Sequence, residues 1–331
     1  MTYRGRFPAT RPRRLRQSEW IRTLVREHSL SADDLIWALI IHDGPEPEIP
    51  VAAMPGVARL SVKAAVQAVK KAQELGISAV ALFPHIDPAK KNPSGSEALN
   101  RDGLVCTAVR AIKHAAPEIG VMVDVALDPF TDHGHDGLLQ GSRILNDPSV
   151  AILVEQAVLQ VEAGADIVAP SDMMDGRVGA IRAGLDAAGH QDALIMSYAA
   201  KYASAFYGPY REAIGSAKAL QGDKRSYQMD YANTDEALRE AAMDVAEGAD
   251  MLLVKPGLAY LDILARIKAA FAMPTFAFQV SGEYAMIKAA AANGWIDEDR
   301  VILETLTAFK RAGADGIVTY FAPHAAELLR A

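Results

Sequence analysis

The chain has 331 residues, half of them hydrophobic, with a formal net charge of -7 and a pI near 5.7. This length fits two average domains or one large α/β barrel, and the composition lacks the overall basic charge that is typical of nucleic-acid-binding proteins. No apolar run of about 18 residues could span a bilayer, and the first residues lack the apolar core of a secretory signal. We therefore expect a cytoplasmic protein without a membrane partner.

Eight apolar segments, separated for the most part by alanine-rich amphipathic segments, follow the first 33 residues. The predicted strands are DLIWALIIHD (34–43), the segment that ends at Pro84, VMVDVALD (121–128), the segment that ends at Ser171, LIMSYAAK (194–201), MLLVK (251–255), PTFAFQVS (274–281) and the segment that ends near Phe321. Predicted helices include residues 61–75, 149–164, 234–248 and 297–313. Such an alternation predicts a (β/α)8 TIM barrel over residues 34–331, preceded by an N-terminal arm over residues 1–33.

A weak internal repeat supports the barrel. The segments EAGADIVAPS (162–171), AEGADMLLVKP (246–256) and RAGADGIVTYF (311–321) each read as a helix end, a glycine, Ala-Asp and a strand. A glycine just after a helix supplies the left-handed cap, and the apolar run suits a strand that is buried on both faces. A doubly wound sheet is the alternative fold, but no GxGxxG motif follows the first strand.

Polar residues close several of the predicted strands, which is where barrel enzymes place their active sites. They are Asp124, Asp128, Ser171, Lys201, Lys255, Ser281 and Tyr320. A lysine carried by a rigid strand into a desolvated pocket loses part of its preference for the charged form, and its neutral amine can attack a ketone. Two such lysines, Lys201 and Lys255, predict two Schiff bases and therefore two carbonyl groups.

The segment after Lys201 is too long for an ordinary barrel loop and mixes aromatic, glycine and cationic residues. It predicts a lid over residues 202–228. Arg211 and Lys224 are candidates to bind a substrate carboxylate, while Phe206 and Tyr207 are candidates to exclude water.

The loop over residues 124–139 carries four aspartates together with His133 and His135. This composition suits a divalent metal ion. It also suits carboxylates that hold a cationic amine, and the residues alone leave both interpretations open.

Five motifs together resemble the 5-aminolevulinate dehydratase (porphobilinogen synthase) family. They are DHGHDG, APSDMMDGR, KYASAFYGPYREA, MLLVKPG followed by AYLDI, and QVSGEYAMI. The resemblance runs from about Arg6 to the C-terminus. It implies a barrel enzyme, a hydro-lyase that condenses two molecules of 5-aminolevulinate asymmetrically to porphobilinogen, with loss of two waters, for tetrapyrrole synthesis.

The resemblance also implies residue roles. Lys255 would form the Schiff base with the substrate that supplies the propionate side, and Lys201 would bind the second ketone. Ser281 and Tyr320 would hold the first carboxylate. The second carboxylate would be held by Arg211, Lys224 and Gln228.

One departure from the family pattern concerns the metal. Zinc-dependent members have three cysteines where this chain has Ala126, Asp128 and Asp136, and these residues cannot replace the thiolates of a tetrahedral zinc site. We therefore expect no zinc and no organic cofactor, with Asp128 and Asp136 holding the amino group of the second substrate. Glu240 matches a position where magnesium-stimulated relatives bind an allosteric ion, and solvation of this glutamate is the alternative.

The arm carries eight arginines before residue 27. In relatives such an arm contacts a neighbouring subunit, which predicts a homo-oligomer, either an octamer or a hexamer. Nucleic-acid binding is the alternative for the arm, but it lacks interleaved aromatic residues. For the whole chain, a class I aldolase with one Schiff-base lysine and a barrel without catalytic activity are the competing functions.

Overall fold

The computed structural model describes residues 5–215 and 220–330, so the ends of the chain and residues 216–219 of the predicted lid lie outside the described part. Its strands are β1 (Leu35–His42), β2 (Glu48–Pro50), β3 (Ala58–Ser61), β4 (Ala79–His85), β5 (Gly120–Val125), β6 (Leu138–Gln140), β7 (Arg143–Leu145), β8 (Ile167–Pro170), β9 (Leu194–Lys201), β10 (Met251–Lys255), β11 (Thr275–Gln279) and β12 (Gly316–Thr319). Eight of them pair in parallel in the order β1, β4, β5, β8, β9, β10, β11 and β12, and β12 pairs with β1. The sheet is therefore a closed barrel, as predicted, and not an open doubly wound sheet.

Helices surround this barrel. They are α1 (Glu19–Leu24), α2 (Val62–Glu74), α3 (Leu104–Ala115), α4 (Asn146–Glu162), α5 (Arg177–Ala187), α6 (Gly208–Ala213), α7 (Asp235–Ala246), α8 (Leu261–Phe271), α9 (Ser281–Ala292), α10 (Glu298–Arg311) and α11 (Ala322–Leu328). The amphipathic helices α2 and α10 bury their apolar stripes against the strands, with Val69 and Leu306 inaccessible to solvent. All four helices predicted above are present, with ends that differ by at most three residues.

The Gly-Ala-Asp repeat has a structural explanation. Its glycines, Gly164, Gly248 and Gly313, have φ angles of 107°, 99° and 102°, which L side chains rarely adopt. The aspartates, Asp166, Asp250 and Asp315, accept hydrogen bonds of 2.7 to 2.8 Å from the backbone N–H groups of Val121, Ile195 and Thr275. Each copy of the repeat thus ends a helix and ties the next strand to the start of a neighbouring strand.

Several residues predicted to close strands lie just beyond them. Asp128 follows β5 by three residues, Ser171 follows β8 directly, and Tyr320 follows β12 directly. Ser281 is the first residue of α9, because the Glu283 carboxylate accepts the N–H of Val280 and caps the helix there. All of them remain at the carboxyl end of the barrel.

Two hairpins were not predicted. The antiparallel pair β2–β3 extends the barrel sheet beside β1, and β6–β7 forms a separate hairpin that begins at the end of the 124–139 loop. Their strands have three or four residues, which is too short for a clear alternation of apolar and polar residues.

The described part of the arm, residues 5–33, contains no buried residue. Neither its 3-10 helix at Pro12–Arg16 nor α1 contains a buried residue, and Phe7 and Trp20 are 75% and 69% exposed. In the described part of the chain, no helix is long and apolar enough to cross a membrane.

Candidate active site

The two predicted Schiff-base lysines lie opposite each other on neighbouring strands. Lys255 at the end of β10 is the register partner of Lys201 at the end of β9. The pairing of β9 with β10 contains a bulge. Leu252 pairs with Ser197 and Val254 pairs with Ala200, so β9 has two residues between these pairs where β10 has one. Without this bulge Lys255 would pair with Ala200, so the bulge brings the two amines to the same level.

Both lysines line one cavity at the carboxyl end of the barrel. The lining residues are Asp124, Asp128, Ser171, Lys201, Tyr207, Tyr210, Arg211, Lys224, Gln228 and Lys255. Nine of these ten were predicted as site residues, Gln228 through the family resemblance, and only Tyr210 was not singled out. The cavity volume is about 30 Å³, which is room for a water molecule or two but not for a five-carbon keto acid.

Lys255 lies among aromatic rings. Its Nζ is 4.5 Å from the ring centroid of Phe278, 5.0 Å from that of Tyr198 and 5.1 Å from that of Tyr210. Burial, and then the neighbouring charge of Lys201, lower the pKa of Lys255 to about 7, although nearby carboxylates act in the opposite direction. A substantial fraction of this amine is therefore neutral and nucleophilic at neutral pH.

Lys201 lies instead in a network of ions. Its Nζ is 3.2 Å from Asp136 Oδ1 and also donates to the Ser171 carbonyl. The other oxygen of Asp136 accepts from Lys224 Nζ at 2.7 Å and from the Tyr227 hydroxyl at 2.9 Å. Burial alone would raise the pKa of Asp136, but the two ammonium groups and the hydroxyl hold it below its ordinary value.

Asp124 is the third carboxyl group near the lysines. Burial raises its pKa to about 6, against the opposing effect of the Lys255 and Lys201 ammonium groups. A carboxyl group that gains and loses a proton near neutrality can act as a general acid or base in imine formation. Asp124 is thus suited to transfer protons within the cavity.

A buried ion network holds the loop after β8 in place. Arg177 contacts Asp172 at 3.7 Å and Asp244 at 3.2 Å, and all three are at most 3% exposed. Asp172 also accepts the N–H of Met174 at 2.7 Å. Because Ser171 precedes Asp172, this network fixes the carbonyl group that Lys201 contacts.

Helix α6, which lies in the predicted lid, is attached to the barrel by a residue that the sequence did not indicate. Arg59 on β3 donates from Nε to the carbonyl of Ala213 at 2.6 Å and from a terminal nitrogen to that of Glu212 at 2.8 Å. These carbonyls belong to the last turn of α6, where a cation is favoured. Since α6 carries Tyr210 and Arg211 into the cavity, Arg59 contributes to their position.

Other predicted residues lie close to the cavity without lining it. The Ser281 hydroxyl accepts the N–H of Tyr210 at 2.9 Å, and the buried Tyr320 ring contacts Phe278. Phe206 lines a different, outer cavity, and only its carbonyl contacts Ser281. Glu240 is half-buried and lines another cavity, of about 700 Å³, outside the barrel mouth.

The histidines of the 124–139 loop, which could have been metal ligands, have hydrogen-bond partners instead. His135 pairs with the Tyr227 hydroxyl at 3.0 Å and with the Gln221 carbonyl at 2.7 Å, and His133 contacts the Pro93 carbonyl at 3.3 Å. Within residues 5–215 and 220–330, no three His, Cys, Asp or Glu side chains converge as metal ligands would.

Apart from Tyr207, sequence reasoning missed the aromatic residues around Lys255. It also missed Tyr227 beside Asp136, and Arg59. Tyr198, Phe83 and Phe278 stand inside apolar strands, where nothing in the sequence distinguishes a ring that faces the cavity from one that faces the helices. Tyr227 lies within the predicted lid, so its position there was a usable signal.

Comparison with known proteins gives a consistent result. The sequence model of the delta-aminolevulinic acid dehydratase family matches residues 9–328. Among similar relatives, the delta-aminolevulinic acid dehydratase of Bradyrhizobium diazoefficiens is 65% identical over 322 residues, which are 97% of this chain and 91% of the relative. That of Rhodobacter capsulatus is 52% identical over 325 residues, 98% of each chain. The structure of delta-aminolevulinic acid dehydratase (porphobilinogen synthase) from Toxoplasma gondii ME49, in complex with its reaction product porphobilinogen, matches with a TM-score of 0.94 and 48% identity over 96% of this chain and 91% of that one.

Proposed function

This chain belongs to the delta-aminolevulinic acid dehydratase family, and on that premise we propose how its own residues carry out porphobilinogen synthesis. The activity is the hydro-lyase condensation of two 5-aminolevulinate molecules, in tetrapyrrole biosynthesis. Membership in the family sets aside the class I aldolase and the inactive barrel. The residue roles, the metal requirement and the assembly are proposals.

We propose that Lys255 forms the first imine. Its low pKa makes the neutral amine available to attack the ketone carbon, and a hydroxyl group leaves as water once a proton is supplied. Asp124, with a pKa near 6, is placed in the same cavity to supply and remove that proton. Ser281 and Tyr320, next to the aromatic surroundings of Lys255, bind the carboxylate of this first substrate.

Lys201 binds the ketone of the second substrate. The ammonium group of that substrate pairs with Asp128 and Asp136, and its carboxylate pairs with Arg211, Lys224 and Gln228 from the lid. The observation that carries this assignment is the register pairing of Lys201 with Lys255. Neighbouring strands are about 4.8 Å apart, so two ketones attached to register partners lie side by side, as bond formation between the substrates requires.

The assignment is tested by incubating the purified chain with 5-aminolevulinate and borohydride, followed by peptide mass mapping. We expect reduced adducts on the peptides that contain Lys201 and Lys255, and porphobilinogen when borohydride is omitted. Adducts on other lysines alone would contradict the assignment.

We propose that neither zinc nor an organic cofactor takes part. The donor set Ala126, Asp128 and Asp136 offers no thiolate, and both aspartates already pair with lysines. A hydrated magnesium ion at Glu240 would act from outside the cavity and would stimulate activity without being required. Exhaustive chelation should therefore leave substantial activity, whereas a complete loss that zinc alone restores would contradict this proposal.

We propose that the arm contacts a neighbouring copy of the chain in a homo-oligomer. The exposed Phe7 and Trp20 and the eight arginines support contact with an acidic partner surface, since this chain is itself acidic. Deletion of residues 1–16 should give a smaller assembly by light scattering, with reduced activity. A cytoplasmic location and the choice between octamer and hexamer remain predictions.

A further inference from the structure

Lys224 occupies the place that is assigned to the ammonium group of the second substrate. Its Nζ is 3.1 Å from Asp128 Oδ2 and 2.7 Å from Asp136 Oδ2. All three side chains are at most 10% exposed. Lys224 is also one of the residues assigned to the substrate carboxylate, so the proposed cation and anion subsites are paired with each other.

We propose that Lys224 is a specificity-determining residue that exchanges one ion pair for another when the second substrate binds. The substrate ammonium takes the place of the Lys224 ammonium on Asp128 and Asp136, and Lys224 turns to the substrate carboxylate. This inference rests on the proposed roles of Lys201, Asp128 and Asp136 and adds a reason why the ligand must carry both charges.

Charge balance makes the exchange selective. Withdrawing Lys224 takes the ion-pair partner from Asp128 and leaves Asp136 with Lys201 alone, which is unfavourable in a desolvated site. A ligand with both an ammonium and a carboxylate group restores both pairs. A ligand with an amine alone must displace the Lys224 ammonium group from the aspartates, and it offers no carboxylate with which Lys224 could pair instead.

The geometry of the lid allows the movement. The cavity of about 30 Å³ must enlarge before a substrate can enter, and the Lys224 side chain is part of its wall. The Lys224 carbonyl accepts the N–H of Gln228 at 2.9 Å, which holds the backbone in its turn. The flexible side chain can therefore turn while the backbone stays in place.

Arg211 provides a matched comparison. It lines the same cavity and is assigned to the same carboxylate, but no ion pair joins it to Asp128 or Asp136 among the described residues. Removing Arg211 should therefore weaken carboxylate binding without freeing the ammonium subsite.

The test uses the Lys255→Ala variant, so that only Lys201 forms adducts. Three ketones are trapped with borohydride and quantified by peptide mass: aminoacetone, which adds an amine, levulinate, which adds a carboxylate, and butan-2-one, which has neither. The half-trapping concentration is the ketone concentration at which half of the protein carries a reduced adduct. For each variant, the value for each ketone is divided by the value for butan-2-one, which corrects for changes in the reactivity of Lys201.

We expect Lys224→Ala to lower the relative half-trapping concentration of aminoacetone by about tenfold, the size of one charged hydrogen bond. Arg211→Ala should not lower it, and both substitutions should raise that of levulinate. An unchanged aminoacetone ratio in Lys224→Ala, with levulinate weakened, overturns the exchange while leaving the role of Lys201 intact. No adduct with any ketone in the folded Lys255→Ala protein overturns both.

A second measurement keeps Lys224 and so does not depend on the folding of its variants. If the ion pairs exchange as proposed, an ammonium ion should bind Asp128 and Asp136 only when Lys224 has left them to pair with a ligand carboxylate. Ammonium chloride should therefore lower the half-trapping concentration of levulinate but not that of butan-2-one, with tetramethylammonium chloride as the control for ionic strength. Equal effects on both ketones overturn the proposal.

Discussion

Lys255 and Lys201 are the same kind of side chain on adjacent strands, but their surroundings differ in kind. Aromatic rings enclose Lys255, and burial lowers its pKa to about 7. Lys201 contacts a carboxylate and a carbonyl, and that carboxylate is shared with Lys224. The difference teaches that one barrel can place one lysine where burial favours the neutral nucleophile, and another in an ion pair that must break before its amine can react.

The strongest way to break this comparison is Lys255→Ala. We expect the rate of porphobilinogen formation to fall by at least about a thousandfold, because covalent activation of the ketone is lost. The exposed Lys70→Ala is the matched control and should retain full activity. More than about one per cent residual activity in Lys255→Ala would contradict a covalent role.

Lys201→Ala breaks the other side of the comparison. Its rate should fall by about a hundredfold or more, since the second ketone loses its amine. A reduced adduct should nevertheless still form at Lys255, because the proposed assignment gives each lysine its own substrate molecule. If peptide mapping finds no Lys255 adduct in this variant, the two lysines act as a single site.

Arg59→Gln should disturb the surroundings of Lys255 more than those of Lys201. Its bonds hold α6, which brings Tyr210 to Lys255, whereas the ion network around Lys201 depends on the later lid residues Lys224 and Tyr227. Loss of two charged hydrogen bonds should raise KM by about tenfold, with a smaller change in kcat. Arg59→Lys should recover part of the loss. A change in melting temperature with unaltered KM would assign Arg59 a structural role only.

The pH dependence of adduct formation at Lys255 tests the difference between the two lysines, and its expected effect is the smallest of the four. The pKa of Lys255 is lowered, so its neutral form predominates above pH 7 and its adduct should form with a midpoint near 7 rather than near 10.5. Lys201→Gln removes a neighbouring positive charge and should move that midpoint upward. The rate of trapping at Lys255 as a function of pH measures both, and a midpoint that does not move would show that the charge of Lys201 does not lower the pKa of Lys255.

The sequence was sufficient for the barrel and for most of the cavity. Eight apolar runs, several of which end in polar residues, identify the strands and their carboxyl ends, and this placed Lys201, Lys255 and Asp124 at one barrel mouth. The length and composition of residues 202–228 predict a lid, although no signal predicts the attachment of α6 by Arg59. Arg59 lies on the short strand β3, more than 150 residues from its partners, and no local pattern encodes such a contact.

Two other features depend on three-dimensional details. The pairing of Lys224 with Asp128 and Asp136 joins residues about 90 positions apart. From the sequence alone, the lysine and the aspartates were assigned to separate subsites, one for the carboxylate and one for the amino group of a substrate. The alternation of residues along β9 cannot reveal the bulge either, because every residue from Ile195 to Lys201 is buried. A strand that is buried on both faces carries no polar marker of its register.

The bulge in β9 has a consequence for protein engineering. Copying Lys201 and Lys255 onto two adjacent strands of a regular barrel would not reproduce the paired amines, since uniform register sets Lys255 opposite the position of Ala200. A shift of one residue also turns a side chain to the other face of a sheet, here from the cavity to the surrounding helices. A designer who wishes to transplant two-ketone chemistry must therefore graft the irregular strand as a whole, with its extra residue, and not the two lysines alone.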